Sequence, residues 1–92
     1  MRVARDVKVD LYSSSFCGAC TATRAALTSA TELVPGAHLT ETNVAHDPAR
    51  AEAADIRATP TVVISTDDGT EVFRAEGVPT IPQVLVALAK AL

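Results

Sequence analysis

Aromatic side chains are nearly missing from this chain. Tyr12, Phe16 and Phe73 are the only three, and tryptophan is absent. A core built on ring packing is therefore excluded, and the interior must be assembled from Val, Leu, Ile and Ala. Cysteine is equally scarce, with Cys17 and Cys20 alone. In a reducing compartment a lone pair of this kind points to catalysis or metal binding rather than to a structural staple. No basic cluster occurs: the eight Lys and Arg residues are scattered and the net charge is −3. That argues against nucleic acid or an anionic membrane as the partner. No apolar stretch approaches the length of a membrane span. The opening Met1-Arg2-Val3-Ala4-Arg5-Asp6 has no apolar run behind its charges and does not read as a secretory signal. A soluble cytoplasmic protein is expected. With no internal repeat and no linker, residues 1–92 read as one domain with a short polar tail over 1–6. A hydrophobic fraction of 48% excludes disorder.

What is present is a regular alternation of strand and helix patterns. Val7 to Tyr12 alternates apolar and polar residues, and Ser13-Ser14-Ser15 follows as a loop. Ala19 to Leu33 carries Ala22, Ala26, Ala30 and Leu33 at helical spacing, widened by Leu27 and Val34, and Pro35-Gly36 ends it. His38 to Val44 reads as a second strand. Asp47-Pro48 offers a cap and a first-turn proline for a second helix running to about Asp55. Thr61 to Ser65 is β-branched and continuous, as a strand covered on both faces should be. Asp67-Asp68-Gly69-Thr70 signals a hairpin turn into Glu71–Glu76, and Gly77-Val78-Pro79 breaks that strand. A terminal helix to Leu92 shows Ile81, Val84, Leu85, Leu88 and Leu92 on one stripe. The order β-α-β-α-β-β-α predicts an α/β fold with a central mixed sheet flanked by helices. The first three strands are expected as parallel crossovers and the last pair as a hairpin.

Phe16-Cys17-Gly18-Ala19-Cys20 lies where the first strand ends and the first helix begins. The first turn of a helix presents unpaired N–H groups and the positive end of the macrodipole. A thiolate is an anion, so the outer cysteine, Cys17, is expected to ionise more readily there and to be nucleophilic near neutral pH. Cys20 lies one turn deeper on nearly the same face, shielded and within reach of a disulfide with Cys17. A zinc site would want four ligands, and one Cys-x-x-Cys supplies two. His38 and His46 lack partner spacing and read as surface residues, so no metal is expected.

The Cys-x-x-Cys beside a βαβ pattern, the segment Asp47-Pro48 … Ile56-Arg57-Ala58-Thr59-Pro60-Thr61-Val62-Val63-Ile64, Asp68-Gly69, Gly77 and Pro82-Gln83 together resemble the thioredoxin family. The resemblance runs over roughly residues 7 to 92. It looks like a short thioredoxin without the family's usual first strand and helix. The resemblance implies a thioredoxin-like fold. It implies a protein-disulfide reductase in which Cys17 is the attacking thiolate and Cys20 the resolving thiol. Thr59-Pro60 would be the family's cis-proline dipeptide, with the Thr59 backbone pairing to an extended substrate segment. Phe16, Gly18, Ala19 and Gly77 would complete the substrate surface. Three departures stand out. Phe16 takes the place of the usual Trp, keeping apolar contact but losing the indole donor. Gly18-Ala19 replaces the commoner Gly-Pro. Asp10 is the candidate for the family's buried proton acceptor, although the loop from Asp10 to Cys17 is one residue longer than expected.

The resemblance implies no bound cofactor. Protein disulfides are the expected substrates, a flavin-dependent reductase or glutathione the expected electron donor, and a monomer the expected state. The roles would be electron transport and cell redox homeostasis. Glutaredoxins share the fold and the short N-terminus. Their Gly-Gly and acidic residues for glutathione are replaced here by Ala75-Glu76-Gly77-Val78-Pro79. A glutathione-dependent enzyme and a non-catalytic redox-sensing module remain as alternatives.

Overall fold

A computed structural model describes residues 6–92. The tail expected over residues 1–6 lies, apart from Asp6, outside the described residues. The elements are β1 (Val7–Ser13), α1 (Gly18–Glu32), β2 (Ala37–Asn43), α2 (Pro48–Ala53), β3 (Thr61–Ser65), β4 (Glu71–Glu76) and α3 (Ile81–Ala91). This is the order read from the sequence, with ends displaced by one or two residues.

The strands form one mixed sheet in the order β2-β1-β3-β4. β1 and β2 run parallel, paired from Val7↔Ala37 to Ser13↔Asn43. α1 joins them, and its 15 residues rise by about 22 Å, enough to carry the chain back along a seven-residue strand. β3 departs from expectation: it is antiparallel to β1, with Tyr12↔Thr61 and Lys8↔Ser65 in register. α2 is short, its six residues rising by only about 9 Å, and the connection leaves the chain at the end of the sheet where β1 stops. β3 therefore starts beside the end of β1 and runs the other way. β4 then pairs antiparallel with β3 through a hairpin irregular at Ile64/Ser65. Gly69 in the turn has φ 93°, a left-handed conformation that glycine adopts without steric cost.

One core lies between the sheet and the α1/α3 layer. Val7, Val9, Leu11, Val62 and Ile64 meet Leu27, Ala30, Val84, Ala87, Leu88 and Ala91 there. The aliphatic interior expected from the scarcity of aromatics is the one observed. The buried stripe of α1 is Cys20, Thr23, Leu27 and Ala30, rotated from the one expected. Ala22 and Leu33 face solvent instead. Thr23 takes a core position because its hydroxyl donates to the Ala19 carbonyl at 2.8 Å, so no polar atom is left unpaired. All five residues of β3 are buried, as its continuous apolar pattern predicts.

The caps follow the local sequence. The Asp47 carboxylate accepts from the Arg50 N–H at 3.1 Å, with Pro48 in the first turn of α2. Thr80 and Gln83 form a capping box on α3, with Thr80 Oγ1 accepting at 3.2 Å and Gln83 Oε1 accepting at 2.9 Å.

Candidate functional site

β1 ends at Ser13 and α1 starts at Gly18, so Cys17 is the residue that caps α1. Its Sγ accepts a hydrogen bond from the Cys20 backbone N–H at 3.0 Å. This is the contact a helix N-terminus offers an anion, made here to sulfur. The two cysteines are disulfide-bonded, with Cα atoms 5.2 Å apart. Cys17 is half-buried, whereas Cys20 is 1% exposed. The pair thus has one sulfur that a partner can reach and one held inside. Phe16 precedes it in the left-handed region at φ 56° with its ring fully in solvent. Gly18 has nothing within 4 Å of where a Cβ would stand, so neighbour packing does not require a glycine there. Gly18 and Ala19 are both exposed in the first turn of α1.

Three loops converge on this end of the sheet. The Thr59–Pro60 peptide is cis. Thr59 Oγ1 lies 2.8 Å from Ser14 Oγ, which ties this loop to the one leading into Cys17. The Pro60 carbonyl accepts from the Gly77 N–H at 2.9 Å, which brings in the loop after β4. Gly77 has φ 89°. Thr59, Pro60 and Gly77 are therefore tied to the loop that leads through Phe16 and Cys17 to Gly18 and Ala19.

Asp10 is not brought there. It pairs with Thr40 and Val63, one step out of phase with Leu11, which faces the α1/α3 core. Side chains alternate across a strand, so Asp10 points to the opposite face. There it is 19% exposed and accepts from Arg50 Nη2 at 3.3 Å. His38 is exposed beside Asp6, with Nε2 to Oδ1 at 3.1 Å, and His46 is exposed after β2. Among the described residues no group of three His, Cys, Asp or Glu side chains is arranged to hold a metal ion.

A different carboxylate stands near the cysteines. Glu41 on β2 pairs with Leu11 and so faces the α1 side. It accepts from Ser13 Oγ at 2.7 Å and from Arg24 Nε and Nη2 at 2.5 and 2.7 Å. Asn43 Nδ2 donates to Ser15 Oγ at 3.2 Å on the same rim. These side chains and Cys17 line one cleft of about 430 Å³. The guanidinium hydrogen bonds hold Glu41 below the usual carboxylate range, aided by Ser13 and opposed by burial. Glu41 was missed because its partners come from β1 and α1; strand parity, once β2 is aligned on β1, is the signal that finds it.

No protein-family model and no curated protein matches the chain by sequence. Solved structures do match it. Mitochondrial thioredoxin 3 from Saccharomyces cerevisiae, in its oxidised form, superposes with a TM-score of 0.77 at 25% identity, over 95% of this chain and 79% of that one. A variant thioredoxin from Halobacterium salinarum gives 0.84 at 22% identity, over 94% and 74%. Thioredoxin-2 of the malaria parasite, a component of that organism's protein secretion machinery, gives 0.84 at 14% identity, over 97% and 86%. At these identities the likeness is one of fold. The chain thus has the thioredoxin fold, with a bonded Cys-x-x-Cys pair set where its first strand meets its first helix.

Proposed function

We propose that the protein is a thiol–disulfide oxidoreductase that reduces disulfides of other proteins through Cys17 and Cys20. The observation that carries this reading is the Cys17 sulfur at the first turn of α1, accepting from a backbone N–H, with Cys20 bonded to it from inside. In the dithiol form, the Cys17 thiolate attacks one sulfur of a substrate disulfide. A Cys17–substrate bond forms, the substrate S–S bond breaks, and a substrate thiolate leaves. Cys20 then loses its proton and attacks Cys17 Sγ. The Cys17–Cys20 bond forms and the second substrate thiol leaves. Two electrons pass from the dithiol to the substrate, and an external thiol or a flavin-dependent reductase must return them. No bound cofactor takes part.

The exposed ring of Phe16 gives a substrate an apolar contact, and the loop of Thr59 and Pro60 offers backbone for an extended segment. Gly18, Ala19 and Gly77 would complete the surface that meets the substrate. The reading assumes a monomer in a reducing cytoplasmic setting. The test is insulin-type disulfide reduction with purified protein. Cys17→Ser should abolish turnover, and Cys20→Ser should trap a mixed disulfide. Full activity of Cys17→Ser would overturn the reading and favour a redox-sensing module. Supplying glutathione or a flavin reductase as sole electron donor identifies the donor. Titration against a glutathione buffer gives the potential and hence the direction of exchange.

A further inference from the structure

The cleft beside Cys17 is lined by two charged side chains of opposite sign, Arg24 and Glu41. Arg24 follows Cys17 by seven residues and Cys20 by four, so it lies along the same side of α1. Helical side chains lean toward the N-terminus, which aims this guanidinium at the cysteine end. Glu41 reaches it from β2 with two hydrogen bonds and is itself anchored by Ser13, which is buried.

We propose that Arg24 and Glu41 are positioning residues that set the reactivity of Cys17, with Glu41 neutralising the cation that would otherwise act on its sulfur. The proposal deepens the dithiol-exchange reading and rests on it. Either charge alone would favour or oppose a thiolate across the cleft; paired, they cancel. Arg24 and Glu41 hold each other ionised, the former raised by its carboxylate partner and the latter lowered by the guanidinium. Other charges near this end are engaged elsewhere. Asp55, Arg57, Arg74 and Glu76 line a separate cavity. Asp47 caps α2, His46 sits exposed in the turn after β2, and Asp10 and Arg50 pair on the opposite face of the sheet. The groups facing Cys17 along this cleft are thus Arg24 from α1 and Glu41 from β2, while the Ser13–Phe16 loop contributes no charge.

The experiment measures alkylation of Cys17 against pH in the full-length reduced protein, in a background where Cys20 is alanine. Glu41→Gln keeps an acceptor for Ser13 and leaves Arg24 unbalanced. Its alkylation midpoint should move to lower pH, with a rate about threefold higher on the acid side, the scale expected for one partly screened charge. Arg24→Gln leaves the carboxylate unbalanced, and its midpoint should move to higher pH by a similar factor. The double variant should return close to the parent, and added salt should shrink both single shifts. A pair that merely pinned α1 to the sheet would lower the melting temperature in both variants without opposite shifts. Shifts of the same sign, or none, overturn the proposal. Arg24 and Glu41 are 44% and 32% exposed, so both variants should fold; if Arg24→Gln does not, the sign of the Glu41→Gln shift decides alone. Because alkylation needs no substrate, this outcome is separate from the exchange assay: a failed Cys17→Ser test condemns the dithiol reading, whereas absent charge shifts condemn only the pair's role.

Discussion

Reducing the Cys17–Cys20 bond should destabilise the fold by about 1–2 kcal/mol, the balance of a loop-entropy loss and a gain at the helix cap. The cysteines are three residues apart, so the bond closes a loop of about four residues. The chain-entropy relation assigns such a loop roughly 6 cal/mol/K, or about 2 kcal/mol at room temperature. Little else should change on reduction, since Cys20 sits in a packed helix and Cys17 remains the cap of α1. The cap acts in the opposite sense: a thiolate at a helix start can gain about 0.3–1 kcal/mol that a disulfide sulfur does not. The expected difference is therefore about 1–2 kcal/mol in favour of the oxidised form. Urea unfolding, followed by circular dichroism in oxidant and in excess dithiothreitol, measures it. With a slope of about 1–3 kcal/mol/M, the midpoint should fall by roughly 0.3–2 M on reduction. By linkage, the dithiol of the folded protein should be more reducing than that of the unfolded chain, by ~20–45 mV at 1.4 kcal/mol per 30 mV. A midpoint that is unchanged, or higher in dithiothreitol, would refute the reasoning. It would mean that stabilisation of the free thiols outweighs the loop entropy and that the pair is built as an oxidant.

Leu27 is fully buried where α1 meets the sheet, and Leu27→Ala should cost about 3–5 kcal/mol in urea unfolding, much of the stability of a domain this size. Asp68 accepts from the Thr66 hydroxyl and from the Thr70 N–H at 3.0 Å, and these hydrogen bonds lower its pKa to about 2. Its folded value lies below its unfolded one. What the carboxylate adds to the turn is therefore complete above about pH 4 and lost as pH falls toward 2. A carboxyl-carbon NMR titration of Asp68 with a midpoint near 4 would contradict this. Ala19 occupies the first turn of α1, where no intrahelical acceptor exists for its N–H. Ala19→Pro should therefore change stability by less than about 1 kcal/mol, read from the same denaturation curves.

Some of this protein could be read by short-range rules. The caps Asp47 and Thr80, the glycine turn at Gly69 and the junction of β1 with α1 each depend on residues within a few positions of one another. The period-two pattern of Val7–Tyr12 and the run Thr61–Ser65 fix strands in the same way. The α1 stripe was less legible. Apolarity alone favours Ala22 and Leu33 over Thr23, and only the hydroxyl's bond to its own helix makes Thr23 a core residue.

Sequence by itself determined the element order, an aliphatic core and a Cys17/Cys20 pair at a helix start, because strand periodicity, capping and thiol chemistry are local. Tertiary structure alone decided which way β3 runs and which carboxylate lines the cleft beside Cys17. Both follow from non-local geometry. The sheet sets Thr61 opposite Tyr12, so β3 runs back along β1, and strand parity turns Asp10 away while pairing Glu41 with Arg24 beside Cys17.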